Sequence, residues 1–419
     1  MARRAGWGLA DQVVSSGTNF AVNVVVLRVL GVEAFGSFSL GFFLYLVAIS
    51  VTRAYPMEPL AIRYPLRSEH DWRAAASAAL GTAVISGVGF SVAALAIGAA
   101  IGGLLGGALV GLGLTFTGLV LQDAIRMAFF SRGRAYQAFL NDLVWAAALI
   151  PTLGLAMTVD GDVFLITAAW GIASSLAALF GLWQARLLPR PRRAKAWWHE
   201  HRDIGPRFLA EAALRTALLQ IAFVGIALIA GIAAIGYIRG AQLLMAPIQI
   251  VFLGLIPVLV PEGVRTLERG VSALGRLAVL VSAAEVVVAI AWSIVVVVGF
   301  AVIGPLVLGG DWSSFREYLP AAFGIQVATV VTAGPQMTLR ALGDARRSLR
   351  ATIVGSIAGV VLPVAFAVGG PVAAAWGLAV AAAIGAAAWW ILARLGMRAR
   401  RGGPPSGDFE PTHTTPSWP

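Results

Sequence analysis

The sequence predicts an all-α polytopic membrane protein: about twelve transmembrane helices in two parallel-repeat six-helix bundles around a central cavity, with both termini cytoplasmic. Three observations carry this. The 419 residues are 59% hydrophobic and only 12% charged, about half the charge of a soluble domain that must meet water on every side. Basic residues recur at every second break between apolar runs. The second half of the chain also echoes the first.

Apolar runs bounded by charge or glycine place the helices of the first half at Leu9–Leu30, Phe35–Leu60, Ala76–Ala99, Leu105–Phe129, Phe139–Met157 and Phe164–Trp183. Those of the second half fall at Phe208–Ala230, Ile235–Val260, Leu277–Val302, Leu319–Thr338, Ala351–Val368 and Ala374–Leu395. Only backbone that satisfies its own hydrogen bonds can cross lipid, so each run reads as a helix. Residues 1–185 then form one bundle, 186–207 a basic cytoplasmic linker, 208–401 the second bundle, and 402–419 a Pro/Gly/Ser/Thr-rich disordered tail. The linker carries Pro189, Pro191, Trp197, Trp198 and His199, and is expected to lie in the headgroup region as an amphipathic segment. Asp11, Gln12, Ser15, Ser16 and Asn19 are too polar for a signal-peptide core, so the first helix is expected to be retained.

Orientation follows from charge. Arg63, Arg67 and Arg73 follow helix 2; Arg126, Arg132 and Arg134 follow helix 4; Arg265, Arg269 and Arg276 follow helix 8; Arg340, Arg346, Arg347 and Arg350 follow helix 10. The linker adds Arg186, Arg190, Arg192, Arg193, Lys195, Arg202 and Arg207, while loops after odd-numbered helices carry almost none. This alternation is the positive-inside pattern. The net charge of +11 thus faces cytosol and anionic headgroups, and membrane lipids rather than nucleic acid are the expected partners.

The repeat rests on three ordered matches. Gly31-Val-Glu-Ala-Phe-Gly36 matches Gly231-Ile-Ala-Ala-Ile-Gly236; Gly133-Arg-Ala135 matches Gly343-Asp-Ala345; Ala169-Trp-Gly171 matches Ala375-Trp-Gly377. Six helices per half make both halves run in the same sense, a plan typical of transporters with a site between them.

Chemistry is scarce. Cysteine is absent, which excludes disulfides, thiolate metal sites and cysteine nucleophiles. No Gly-Lys-Ser/Thr phosphate loop exists, His199-Glu200-His201 lacks the spacing of a helical metal pair, and no cofactor is expected. Gly111-Leu-Gly113 reads as a helix-packing element.

Arg28, Arg53, Arg215 and Arg239 fall inside helices 1, 2, 7 and 8, and Arg316 in an outer loop. An arginine in mid-membrane costs at least about 2.5 kcal/mol, so it faces a cavity or a partner. Arg28 and Arg239 lie near outer helix ends and either snorkel or meet a ligand. Glu211 and Arg215 are spaced to neutralise each other. Arg53 has no acid nearby in sequence. Asp11, Asn19 and Asn23, with Ser15, form a polar stripe on helix 1, and Gln220 and Gln242 add amides on helices 7 and 8. Pro335 is expected to kink helix 10. Asp11, Glu211 and Glu285 are the candidate coupling carboxylates, although Asp11, Glu58, Asp123 and Asp142 also fit interfacial positions at cytoplasmic helix ends.

Val26-Leu-Arg28-Val-Leu-Gly31-Val-Glu-Ala-Phe-Gly36 resembles the signature ending the first helix of polysaccharide (O-antigen-type) flippases, with Leu27 in place of the usual alanine. Glu58-Pro-Leu-Ala-Ile-Arg63, Gly205-Pro-Arg-Phe208 and Gly236-Tyr-Ile-Arg239-Gly-Ala-Gln242 are similar to further landmarks there. The resemblance implies the multidrug/oligosaccharidyl-lipid/polysaccharide exporter superfamily, whose two bundles form a V around a cavity lined by helices 1, 2, 7 and 8.

Together these readings suggest a non-enzymatic flippase, in the bacterial inner membrane, for polyprenyl-diphosphate-linked oligosaccharide. Arg53, Arg215, Arg28 and Arg239 would bind diphosphate, Asn19, Asn23, Gln220 and Gln242 would contact sugars, and other polysaccharide-assembly proteins are possible partners. The alternatives are a cation-coupled multidrug exporter of the same superfamily and a membrane glycan polymerase or ligase. The exporter would use buried carboxylates. The enzyme would need large or acidic outer loops, and here the outer loops are short.

Overall fold

A computed structural model of the chain describes residues 2–159, 161–203 and 205–401. The predicted tail, 402–419, lies outside the described residues, as do the side chains of Glu211 and Arg215. The described chain is almost wholly helical. Among the described residues, eight helices are long and apolar enough to cross a membrane, the first being the 54-residue run Ala10–Arg63. That run doubles back at one residue. Helix α1, Ala2–Thr52, contains Gly31 at φ 80°, a conformation that only glycine adopts at little cost. Spans 1 and 2 meet there.

Span 2 continues through a π-helical turn, Arg53–Met57, into α2, Glu58–Arg63. Spans 3 to 6 are α3 (Glu69–Ile101), α4 (Gly103–Ser131), α5 (Ala135–Thr158) and α6 (Val163–Ala185). The linker holds a short helix, α7 (Ala194–Glu200), before α8 (Gly205–Ala230) begins the second bundle. The rest follows as α9 (Ile232–Leu243), α10 (Ala246–Glu268), α11 (Val271–Val298), α12 (Phe300–Leu308), α13 (Leu319–Val330), α14 (Ala333–Ala341), α15 (Ala345–Ala367) and α16 (Pro371–Arg401). Span 9 joins α11 and α12, and spans 8 and 10 are each broken in two, so the two bundles have six spans apiece.

Prolines place those breaks. Pro335 has no N–H to give the carbonyl of Val331; the helix breaks there, and Ser282 Oγ (2.8 Å) and Trp390 Nε1 (3.0 Å) donate to the freed oxygen instead. The kink expected at Pro335 thus appears one turn earlier, at the bond that proline denies. Pro247 similarly lies just after the break between α9 and α10, where Trp292 Nε1 donates to the carbonyl of Leu244 (2.8 Å).

Small residues bring helices close. A Cβ on Gly111 would lie 2.4 Å from the carbonyl oxygen of Phe164, and one on Gly113 would lie 2.8 Å from Leu95. Both glycines therefore serve packing, as the sequence suggested.

The repeat reappears as geometry. Gly231 turns between spans 7 and 8 at φ 88°, as Gly31 does between spans 1 and 2. Five residues past each turn, Gly36 and Gly236 make reciprocal crossings. A Cβ on Gly36 would meet the Ile232 carbonyl oxygen at 2.3 Å, and one on Gly236 would meet that of Val32 at 2.1 Å. This is the two-fold exchange of contacts expected when one motif packs on its own copy. It locks the arginine-poor ends of the two bundles together.

Gly36→Val should force that end apart. Spin labels at Val29 and Gly310, on a chain with no native cysteine, should separate in the variant; an unchanged distance distribution would show that the crossing does not hold the end closed.

Candidate functional site

The strongest concentration of buried charge lies inside the first bundle, where spans 1, 2, 4 and 5 converge. One turn of α4 presents Gln122, Asp123 and Arg126; α5 presents Asn141 and Asp142; α1 contributes Asp11. Arg53 opens the π-helical turn, in which Glu58 N donates back to the carbonyl of Arg53 and Pro56 withholds its own donor. Such a turn inserts one extra residue into the helix and re-aims the side chains around it.

Arg53 grips Asp123 as a fork, Nε to Oδ2 at 2.8 Å and Nη2 to Oδ1 at 2.5 Å. Arg126 serves three acids. Its Nε donates to Asp11 Oδ2 at 2.9 Å and its Nη2 reaches the same oxygen. The same guanidinium lies 3.2 Å from Asp142 Oδ2 and 3.9 Å from Asp123 Oδ1. Gln122 Nε2 donates to Asn141 Oδ1 (3.0 Å) and to Asp142 Oδ1 (2.7 Å), while Asn141 Nδ2 donates to the carbonyl of Ala177 (2.7 Å) on α6.

Counting formal charge decides what the cluster can do. Among the described side chains, Asp11, Asp123 and Asp142 face Arg53 and Arg126, a surplus of one carboxylate. Asp11 and Asp142 are wholly buried, and Asp11 Oδ1 and Asp142 Oδ2 accept no hydrogen bond. A cavity of about 310 Å³ reaches Asp11, Asp123, Arg53 and Arg126, lined also by Gln12, Ser15, Asn19, Tyr45 and Trp145. The Arg53 side chain is 43% exposed, into this cavity. Asn19 Oδ1 and Trp145 Nε1 are buried there without partners.

Several expectations change. Arg53 does have an acid, Asp123, on another helix, so it is not the unpaired cation that its sequence neighbours suggested. Asp11, Asp123 and Asp142, expected near cytoplasmic helix ends, are buried by helix packing. Arg126 is not a loop residue, because α4 runs on to Ser131. Sequence reasoning missed Arg126, Asp123, Asp142, Gln122 and Tyr45 as a group. The one signal was the i, i+3 pair Asp123/Arg126 inside an unbroken helical run.

The remaining candidates scatter. Asn23 is buried but donates to its own helix at the Asn19 carbonyl (2.7 Å). Arg28 is exposed at the arginine-poor end, its Cα packed near Gly309. Arg239 Nη1 donates to Gln242 (3.2 Å) and its guanidinium lies over the Phe43 ring (5.4 Å), across the seam between bundles. Gln220 is buried with its carbonyl oxygen unpartnered. Glu285, on α11, is 7% exposed with neither oxygen hydrogen-bonded. Whether Glu211 and Arg215 pair falls outside the described side chains.

No protein-family model and no curated protein matches the chain. Solved structures do. An inward-facing conformation of a multidrug resistance MATE family transporter of the MOP superfamily is 17% identical, with TM-score 0.72, over 93% of this chain and 96% of that one. An outward-facing conformation of such a transporter gives 0.63 at 16% identity, over 96% of each chain. A MATE structure in complex with MaL6 gives 0.64 at 15% identity, over 96% of each. The protein therefore has the two-bundle, twelve-helix MATE fold and is a multi-pass membrane protein.

Removing one partner from a buried ion network costs about 3–5 kcal/mol, because the remaining charges are stranded. Arg126→Met should therefore lower the thermal unfolding midpoint of the detergent-solubilised protein sharply, and a further Asp142→Asn should restore part of the loss. Equal midpoints for wild type and Arg126→Met would remove Arg126 as the organising group.

Proposed function

We propose that the protein is an exporter of amphiphilic organic cations, working by alternating access of its two bundles and driven by inward movement of a proton or monovalent cation. The surplus carboxylate of the Asp11/Asp123/Asp142 cluster carries this reading. In a membrane interior a lone negative charge is costly, so the cluster takes up a positive charge whenever the cavity admits one. Asp11 lies on span 1, which ends at the Gly31 turn beside the crossing with span 8. Filling the cluster and changing the packing of span 1 are thereby linked through one helix. A cargo cation that competes for the same surplus charge would exchange with the driving ion. The fold shared with multidrug resistance transporters supports the export reading, and the arginine alternation supports a bacterial inner membrane with both termini cytoplasmic.

A second reading has its own observation. Among the described residues the Arg239 guanidinium has no carboxylate partner, and it sits at the seam between bundles, where the diphosphate of a lipid-linked oligosaccharide could reach it. An inside-negative potential is worth about 2.3 kcal/mol per charge per 100 mV and would drive such an anion outward. Polysaccharide-assembly proteins would then be its partners.

Reconstitution separates the two. Proteoliposomes with an imposed pH gradient should move ethidium, and Asp142→Asn should abolish that movement while leaving the fold intact. Ethidium left unmoved, with oligosaccharide flipping that is lost in Arg239→Gln, would establish the flippase instead.

A further inference from the structure

A second cavity lies outside the buried charge network of the first bundle. It is a pocket of about 750 Å³ at the arginine-rich face, between the linker and the first bundle. The linker is strapped down rather than loosely laid. Arg190 N donates to the Ser77 carbonyl (2.8 Å), and a Cβ on Gly81 would lie 2.3 Å from the Arg190 oxygen, so the strap fits only because position 81 lacks a side chain. Arg73 Nη1 donates to the carbonyl of Arg186 (3.2 Å), and Arg63 Nη1 to that of Glu200 (3.2 Å). Trp197 is 2% exposed, its ring tilted against His201 at 4.0 Å and stacked on Tyr64 at 5.8 Å. The pocket is thus a fixed feature of the first bundle.

Its polar groups are unevenly used. Both carboxylates in the lining are engaged: Glu200 accepts from Tyr64 Oη (2.8 Å) and Asp71 from Ser68 Oγ (2.7 Å). Burial, with the bond to Glu200, pushes the Tyr64 hydroxyl up to about 12, so it stays a donor. Arg63 is held by Asp203. Arg67 and Arg193 line the pocket with exposed side chains, and neither makes a side-chain hydrogen bond or ion pair among the described residues. Trp197 Nε1 is buried and has no acceptor. Two free guanidinium forks and an orphaned N–H converge on one space, floored by Ala74, Ala75 and Ala78. A tetrahedral anion with several acceptor oxygens matches that set of donors. Exposed Leu66, Trp183 and Leu188 on the neighbouring helix ends and linker give the surroundings an apolar, lipid-facing character.

We propose that this pocket binds a phosphate group, supplied by the headgroup of an anionic phospholipid, through Arg67, Arg193 and Trp197 Nε1. The site is independent of what the protein transports. Native mass spectrometry of the full-length protein, released from nanodiscs of phosphatidylglycerol or of phosphatidylcholine, tests it. Wild type should retain phosphatidylglycerol selectively. Arg67→Gln/Arg193→Gln should weaken retention about thirty-fold, the effect of two surface arginines. Trp197→Phe, which keeps the ring stack, should weaken it too. Inorganic phosphate that binds alone and displaces the lipid would keep the site but assign it to a soluble phosphate. Wild-type retention by the double variant, with helicity unchanged, would overturn the proposal. So would a wild type that prefers neither phosphatidylglycerol nor inorganic phosphate.

Discussion

Arg126 is the group on which the first bundle depends. Its guanidinium reaches acids from spans 1, 4 and 5, and Asp123 passes the contact on to Arg53 of span 2. Four helices are thereby held by one network, most of it buried and one edge of it facing a cavity. The cost of desolvating five charged groups is met by their mutual geometry, and it leaves one carboxylate too many. The proposed exchange rests on that imbalance, since a purely structural network is more cheaply built neutral.

The second constraint is the crossing at Gly36 and Gly236. Reciprocal contact of two glycines with the opposite carbonyls needs no side-chain interdigitation, so it can form and part with little repacking. Breaks in spans 8 and 10 add further joints, and in each a tryptophan N–H takes over the carbonyl beside the break. The second bundle is therefore segmented in these spans, whereas the first carries a π-helical turn in span 2 and holds the buried ion network.

Much of the architecture was legible in the sequence because lipid imposes few solutions. Runs of about 20 apolar residues could only be helices, and Gly31 and Gly231 marked equivalent turns. Pro335 announced its kink, offset by the one turn that a missing N–H dictates. The site was far less legible. Arg53 and Asp123 are 70 residues apart, and Arg126 and Asp11 are 115 apart, so pairing them requires knowing which helices are neighbours. Arg126 was also hidden by Arg132 and Arg134, which made it read as part of a basic loop. Conversely, Asn23 belonged to a persuasive polar stripe yet spends its amide on its own backbone.

The central claim is that the surplus carboxylate takes up a positive charge in exchange for cargo, and proton counting tests it most directly. Ethidium added to the solubilised protein in weak buffer, followed with a pH indicator, should release up to about one proton per chain by linkage. The release should vanish in Asp142→Asn. Ethidium binding with no proton release, in a medium also free of other monovalent cations, would contradict the account.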